Sequence, residues 1–269
     1  MKLESPYLIK PNQKVRLARI PTAPHGVTED QKVAQSELDN HRARMAALQE
    51  VLYAEQKHAV LVILQGMDTA GKDGTIGHIF SGINPQGCSV AQFKVPTPIE
   101  ARHDFLWRVH QVVPPRGMMV IFNRSHYEDV LSPRVHRVIT EKENQRRLEE
   151  INSFEEILVR NGILILKFLL HISLAEQGRR LADRLHDPDK HWKLSDADFR
   201  ERNFWDGYIR AYEDILENTS AKHAPWFVIP SDFKWYRNLA ISQLLVDAMS
   251  TLKMKYPKAT FDPASVSLD

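Results

Sequence analysis

An apolar run that leads directly into a glycine-rich loop constrains this chain more than any other stretch. Residues 60–65 are apolar except for the final glutamine, which predicts a strand buried on both faces. Residues 66–72 follow with the spacing of a phosphate-binding loop that ends in lysine. Its glycines let successive N–H groups turn inward as a nest for phosphate oxygens, and residues 76–80 predict a helix whose N-terminus faces the same anion. A plain turn between strand and helix is the alternative, and the order of strand, glycines and lysine argues against it.

Two carboxylates distinguish this loop from the usual pattern. Asp73 follows the lysine, at the position where a Ser or Thr hydroxyl usually holds Mg²⁺, and the nearest hydroxyl after it is that of Thr75. Asp68 lies inside the loop, where it would repel phosphate unless a metal ion lay between them. We therefore predict that Asp68 binds Mg²⁺, which prefers carboxylate and phosphate oxygens, with Mn²⁺ as a second candidate. The predicted phosphate contacts in the loop are Gly66, Thr69, Ala70, Gly71, Lys72, Asp73 and Gly74.

Composition excludes several other classes of protein. The net charge of the 269 residues is +2, which gives no chain-wide footprint for nucleic acid. The single cysteine, Cys88, excludes an intramolecular disulfide framework and fits a reducing compartment. No run approaches the roughly 20 apolar residues of a membrane span, and the first residues lack the apolar core of a signal peptide. We expect a cytoplasmic protein that binds neither nucleic acid nor membrane.

Strand and helix patterns alternate along the chain. Four further strands are predicted, at 89–94, 117–122, 163–170 and 226–229. This alternation predicts an α/β protein with a five-stranded, mostly parallel sheet and helices on both faces, a three-layer sandwich. The predicted helices are 28–57, one from Thr97 to the prolines at 114–115, 140–160, one from Ser173, one from Ser195, and 234–254.

Proline content and periodicity divide the chain into three parts. Residues 1–27 contain prolines at 6, 11, 21 and 24 without any period, which predicts an extended N-terminal arm. Residues 28–256 predict a single phosphate-loop domain, opened by a capping-box pattern at 28–31. Residues 257–269 predict an irregular tail.

A basic segment at about 178–202 predicts a helical lid that closes cations over a polyanion and excludes water. Within this segment, we predict that Arg179 and Lys190 bind phosphate. A solvated helix face is the alternative for any single member of the segment.

A second polar motif follows the strand at 117–122. A carboxylate that faces the metal normally ends this strand in phosphate-loop proteins, but here the residue is the neutral Asn123. The guanidinium of Arg124 can bind phosphate oxygens through its fork. Glu128 and Asp129 lie one turn later and could restore negative charge toward Mg²⁺. The alternatives are an ion pair for Arg124 and an exposed helix start for the two carboxylates.

Other polar and aromatic residues are less specific. Asn123, Glu128 and Asp129, with the scattered cations Lys94 and Arg134, are the predicted nucleotide contacts. The spacing of Trp205, Tyr208 and Tyr212 predicts the buried face of a helix rather than a platform for bases. The last predicted helix begins with Lys234, Trp235, Arg237 and Asn238, which would touch either a nucleotide or only the rim of the sheet.

Eight stretches occur in fixed order between about Tyr53 and Tyr256: GMDTAGKDGT, FKVPT, HDFLWRVH, FNRSHYEDV, KFLLHIS, DPDKHWK, FWDGY and APWFVIP. Together they resemble the polyphosphate kinase 2 family, and most closely its class III members. The resemblance implies a fold similar to that of nucleoside monophosphate kinases, with five parallel strands and a helical lid. It also implies Mg²⁺-dependent phosphoryl transfer between inorganic polyphosphate and nucleotides.

The resemblance also implies roles for single residues. Asp68, Lys72 and Arg124 would be the catalytic residues. Asp68, Gly71 and Lys72 would hold the metal and the end of the polyphosphate, and Arg124 would contact the phosphate in transfer. Many relatives carry Asp at position 123, whereas class III members pair Asn with a later acidic residue, here Glu128. That pairing implies acceptance of AMP and ADP, with guanine nucleotides as further candidates. A homo-oligomer, a dimer or a tetramer, is also implied.

The expected reaction converts AMP to ADP and ADP to ATP, and it is reversible in principle. Two other functions fit the same residues. One is an ATP-dependent nucleoside monophosphate kinase, and the other is a non-catalytic module that binds polyphosphate or nucleotide, which the neutral Asn123 favours.

Overall fold

A computed structural model describes residues 4–24 and 31–262 of the chain. One sheet of six strands runs in the order β1-β6-β5-β2-β4-β3. The neighbours from β6 to β3 are all parallel, which confirms the predicted α/β architecture. The strands are β1 (Leu8–Ile9), β2 (Ala59–Gln65), β3 (Cys88–Gln92), β4 (Met119–Asn123), β5 (Ile163–His171) and β6 (Trp226–Pro230).

Helices cover both faces of this sheet and complete the three layers. No helix in the two described ranges combines the length and apolarity that a membrane crossing needs. The helices are α1 (Gln31–Glu55), α2 (Lys72–Ile79), α3 (Trp107–His110), α4 (Glu128–Val135), α5 (Glu141–Arg160), α6 (Leu174–His186), α7 (Asp196–Arg202), α8 (Trp205–Thr219) and α9 (Lys234–Ser250).

The strand β2 lies at the centre of the sheet, and its residues are all buried. Because side chains alternate along a strand, Leu61 and Ile63 face the core under α5 and α8. Val60 and Val62 face the opposite core, which α1 and α9 cover. The apolar run in the sequence therefore reflects burial on both faces, as expected for a central parallel strand.

The sheet has one strand more than the predicted five. β1 pairs antiparallel with the outer edge of β6, with Leu8 opposite Phe227. A strand of two residues has no periodicity that the sequence could reveal. The same N-terminal stretch buries Val15 and Leu17, and the carboxylate of Glu213 accepts the N–H of Leu17 at 2.8 Å.

Two predicted helices differ from the structure. At the start of the helix predicted from Thr97, Thr97 and Glu100 form a reciprocal cap, but only a short 3₁₀ turn, Glu100–Arg102, and the four-residue α3 follow. The Asp104 carboxylate accepts the N–H of Leu106 at 3.0 Å, and this local turn competes with helix continuation. The capping box predicted at 28–31 begins outside the described residues.

The predicted helix from Ser195 is divided into α7 and α8. The N–H groups of Asn203 and Phe204 bond to carbonyls three residues earlier, which tightens and ends α7. The helix α4 has no counterpart among the predicted helices, although an exposed helix start is the alternative interpretation of Glu128 and Asp129 in the sequence.

Candidate active site

The glycine-rich loop connects β2 to α2 at the carboxyl end of the central strand, where sites in parallel sheets gather. Gly71 caps α2 in the left-handed region with φ +105°, and a Cβ there would lie 1.9 Å from Nη1 of Arg237. A Cβ on Gly66 would lie 2.9 Å from the carbonyl oxygen of Leu170. Thr69 also has a positive φ, +64°, which is unusual for a residue with a side chain. The backbone therefore has the tight, twisted path of a phosphate nest.

The ammonium of Lys72 folds back over this loop. Its Nζ donates to the carbonyl oxygens of Gly66 at 2.7 Å and Met67 at 3.3 Å. Burial, and then the neighbouring charge of Arg124, lower the pKa of Lys72 to about 8. A buried cation bonded to neutral carbonyls gains strongly from an arriving anion, which would raise that pKa again.

Arg124 lies between two carboxylates. Its Nη2 is 2.8 Å from Oδ1 of Asp68, and its Nη1 is 3.4 Å from Oε2 of Glu128. The backbone φ of Arg124 is +63°, a conformation that costs energy and is common at functional sites. Burial raises the pKa of the Glu128 carboxyl, against the opposing effects of Arg124 and Lys72. The structure thus brings the three predicted catalytic residues and Glu128 together.

A cavity of about 150 Å³ opens beside this group. Tyr208 and Tyr212 of α8 form part of its wall. They had been predicted as core, and Tyr212 is indeed buried, but both lie where the core meets the cavity. The remaining lining residues are Gly66, Met67, Asp68, Arg124, Glu128, Leu131, Ser132, Gln177, Glu201 and Arg202.

The residues around the cavity fit Mg²⁺ held jointly with a substrate. Within residues 4–24 and 31–262, no cluster of three His, Cys, Asp or Glu side chains is arranged as a metal cage. Asp68 and Glu128 nevertheless flank one cation, the Arg124 guanidinium, and the buried hydroxyls of Thr69 and Thr75 have no hydrogen-bond partner. Mg²⁺ is commonly bound by one or two carboxylates with substrate phosphates completing its shell.

Asp129, a predicted metal ligand, points elsewhere. Its Oδ2 accepts from Nη2 of Arg108 at 2.9 Å in a buried ion pair. The other guanidinium nitrogen of Arg108 donates to the carbonyl of Lys94 at 2.8 Å. Helix geometry turns successive side chains by about 100°, so Glu128 and Asp129 cannot both face the cavity. The structure therefore makes Asp129 a partner of Arg108 and leaves Glu128 as the acidic residue at the cavity.

Two of the other predicted nucleotide contacts, Asn123 and Arg134, have side-chain partners within the chain. Nδ2 of Asn123 donates to Oδ1 of Asp73 at 2.6 Å, which ties the end of β4 to the first turn of α2. Arg134 forms ion pairs with Glu141 and Asp214, away from the cavity lining. Lys94 is exposed in the loop after β3.

The two predicted lid cations also pair with neighbouring carboxylates. Arg179 lies on α6 and bonds to Glu176 at 2.6 Å and Asp183 at 2.8 Å. Lys190, in the 3₁₀ turn Pro188–Lys193, pairs with Asp187. Neither residue contacts the glycine-rich loop in this conformation, so their role over a bound polyanion stays a prediction.

Two residues of α6, Gln177 and Arg180, support the loop. Gln177 is not among the predicted site residues, and Arg180 belongs to the basic segment predicted as a lid rather than as a support of the loop. Nη1 of Arg180 donates to the carbonyls of Thr69 at 2.9 Å and Ala70 at 3.1 Å. Nε2 of Gln177 donates to the carbonyl of Asp68 at 3.3 Å. The available signal was the spacing of 177, 180 and 181, which places these residues on one buried helix face.

The site is a glycine-rich loop at the end of a central parallel strand, and a lysine and an arginine converge on it. This arrangement defines a P-loop kinase-like phosphotransferase. The comparison with family models makes the assignment specific. The chain belongs to the polyphosphate kinase 2 family, whose model matches residues 28–257. The predicted family is thereby confirmed.

Similar proteins cover nearly the whole chain. It is 47% identical over 253 residues to the AMP/ADP-polyphosphate phosphotransferase of Meiothermus ruber, which covers 94% of this chain and 95% of the relative. It is 42% identical over 266 residues to the ADP-polyphosphate phosphotransferase of Rhodopseudomonas palustris, covering 94% and 92%. The crystal structure of polyphosphate kinase 2 from Arthrobacter aurescens TC1 superimposes with a TM-score of 0.91 at 42% identity, covering 96% and 95%.

Proposed function

We propose that this protein transfers the terminal phosphoryl group of inorganic polyphosphate to AMP and ADP in the presence of Mg²⁺. The observation that carries the proposal is the convergence of Lys72 and Arg124 on one loop beside the cavity. The activities for which the Meiothermus ruber and Rhodopseudomonas palustris relatives are named support the same substrates. A linear polyphosphate offers charge and no base to read, so cations and backbone N–H groups suffice to bind it.

The chain would contribute positioning and charge to the transfer. Main-chain N–H groups of the loop, the N-terminus of α2 and Lys72 hold the terminal phosphates. Arg124 exchanges one carboxylate partner for oxygens of the transferred group and offsets the charge that develops there. Bound Mg²⁺ would be held by Asp68 and Glu128 and would neutralise phosphate oxygens. Little covalent chemistry by protein groups is required, since alignment and electrostatics dominate phosphoryl transfer.

The acceptor side of the cavity is formed by α4 and α8. The family resemblance implies that Glu128 takes the place of an acidic residue at position 123, where this chain has Asn. We propose that this arrangement accepts both a monophosphate and a diphosphate. We also propose that guanine nucleotides serve as acceptors.

We further propose that the protein forms a homo-oligomer. Light scattering of the purified protein measures its oligomeric state.

A single set of parallel assays tests the proposal. Purified protein, Mg²⁺ and polyphosphate are incubated with AMP, ADP, GMP or GDP, and the nucleotides are separated. We expect ADP and ATP from AMP, and ATP from ADP. A further reaction with ATP and AMP but no polyphosphate tests the monophosphate kinase alternative. Turnover only in that reaction, or Mg²⁺-dependent binding without turnover in any, would overturn the proposal.

A further inference from the structure

Arg237 lies at the start of α9 and is 1% exposed, although it carries a full charge. Its Nη1 donates to the carbonyl oxygen of Ala70 at 3.0 Å. Its Nε and Nη2 donate to Oδ1 of Asn238 at 3.1 and 2.8 Å. This guanidinium therefore contacts the glycine-rich loop from α9, which packs on the other face of the sheet from the cavity helix α8.

The contact with Ala70 bears on the shape of the loop. When N–H groups of a nest turn inward toward an anion, the intervening carbonyls turn outward and need donors of their own. Arg180 and Arg237 supply these donors, and both bond to the carbonyl of Ala70. Gly71 leaves the space that the Arg237 guanidinium occupies, since a Cβ there would lie 1.9 Å from Nη1.

The two arginines differ in how their charge is balanced. Nε of Arg180 is 2.7 Å from the carboxylate of Glu176, so its charge has a nearby counterion. The hydrogen bonds of Arg237 go to a neutral amide and a neutral carbonyl. Burial, and then the nearby charge of Arg180, lower the pKa of Arg237 to about 9. Among residues 4–24 and 31–262, no carboxylate pairs with Arg237. A buried cation without a counterion is costly to the fold, which points to a gain elsewhere.

We propose that Arg237 is a positioning residue that fixes the outward carbonyl of Ala70 and whose unbalanced charge, acting through the loop, strengthens the binding of the polyphosphate end. The inference rests on the proposed function for the identity of the anion. Charge inside a protein is poorly screened, so a cation behind the nest still attracts an anion in front of it.

The variant Asn238→Asp separates this role from a purely structural one. The carboxylate has nearly the shape of the amide and keeps both hydrogen bonds from Arg237, but it adds the missing counterion. We expect the thermal midpoint of unfolding to be unchanged or higher, while the Kd for tripolyphosphate with Mg²⁺ rises about fivefold or more. If Arg237 only tied α9 to the loop, the added ion pair would leave the Kd unchanged.

A second pair of variants tests Arg237 itself. Arg237→Lys keeps the charge and Arg237→Gln keeps only a neutral donor, so we expect the Gln variant to bind tripolyphosphate at least threefold more weakly than the Lys variant. The KM for polyphosphate should follow the Kd, with a smaller change in kcat. Arg160→Gln, which removes an exposed arginine paired with Glu156, is the control and should bind like wild type.

Isothermal titration calorimetry with tripolyphosphate needs no turnover, so the inference is tested even if transfer fails. Equal Kd values for wild type and Asn238→Asp, or for the Lys and Gln variants at 237, would overturn the inference and leave the proposed function intact. Wild-type protein that binds no tripolyphosphate would overturn both.

Discussion

The glycine-rich loop and the lid segment both concentrate positive charge, but they hold it differently. Lys72 and Arg237 at the loop are buried and bond to neutral carbonyls or amides. Arg179 and Lys190 in the lid segment are exposed and pair with carboxylates of their own turns. The loop cations need not break an ion pair to interact with an anion, whereas the lid cations must give up their carboxylate partners to bind one. The loop should therefore govern catalysis, and the lid should only adjust it.

The largest expected effect comes from Lys72→Ala. Loss of a preorganised cation next to the transferred group should lower kcat by about 10²- to 10³-fold. Steady-state transfer from polyphosphate to ADP measures this, with circular dichroism confirming the fold. Near-wild-type turnover in a folded variant would remove Lys72 from the catalytic group and weaken the contrast with the lid.

Arg124→Lys should have the next largest effect, because it retains the charge and removes the planar fork. We expect kcat to fall about tenfold to a hundredfold, with a smaller change in the KM for polyphosphate. The exposed Arg116→Lys is the matched control and should behave as wild type. If both lysine variants keep full activity, charge alone is sufficient at position 124.

The third prediction concerns pH. With a pKa of about 8, Lys72 loses its charge as pH rises through that value, and anion binding must return the proton. Tripolyphosphate affinity should therefore fall by up to about tenfold per pH unit above pH 8, with proton uptake on binding. Calorimetry in buffers of different ionisation enthalpy measures both quantities. Lys72→Arg stays charged and should show a shallower dependence, while equal slopes would exclude Lys72 as the titrating group.

The smallest effect is expected from the double variant Arg179→Gln and Lys190→Gln. Since both cations already have carboxylate partners, the KM for polyphosphate should rise by less than about tenfold and kcat should change little. Kinetics at two salt concentrations, with Arg160→Gln as the control, measure the effect. A loss as large as that of Lys72→Ala would show that the lid belongs to the catalytic group.

The sequence was sufficient for the features that depend on local order. The apolar run before Gly66 predicted the central strand, and alternating patterns predicted the parallel sheet. Glycine spacing and lysine predicted the loop, and the polar residues after β4 predicted Arg124 and Glu128 beside it. Parallel topology brings the carboxyl ends of strands together, so these residues converge without any knowledge of the loops.

Features set by side-chain direction or distant packing were not accessible. Glu128 and Asp129 are equivalent in a sequence, yet only the position of Arg108 decides which one turns inward. Arg179 and Arg180 are likewise adjacent, and one is exposed while the other is buried under the loop. The loop carbonyls that Arg180 and Arg237 bond to lie more than a hundred residues away along the chain, and no short-range pattern can encode such contacts.

The short strand β1 has a practical consequence for anyone shortening this protein. The family match begins at residue 28, so a chain trimmed to it would lack the stretch that lies along β6. The N–H of Val228, which bonds to the carbonyl of Tyr7 at 2.9 Å, would then have no acceptor. An uncovered strand edge invites pairing with another molecule. Aggregation of such a trimmed chain would thus reflect the exposed edge of β6 rather than misfolding of the catalytic domain.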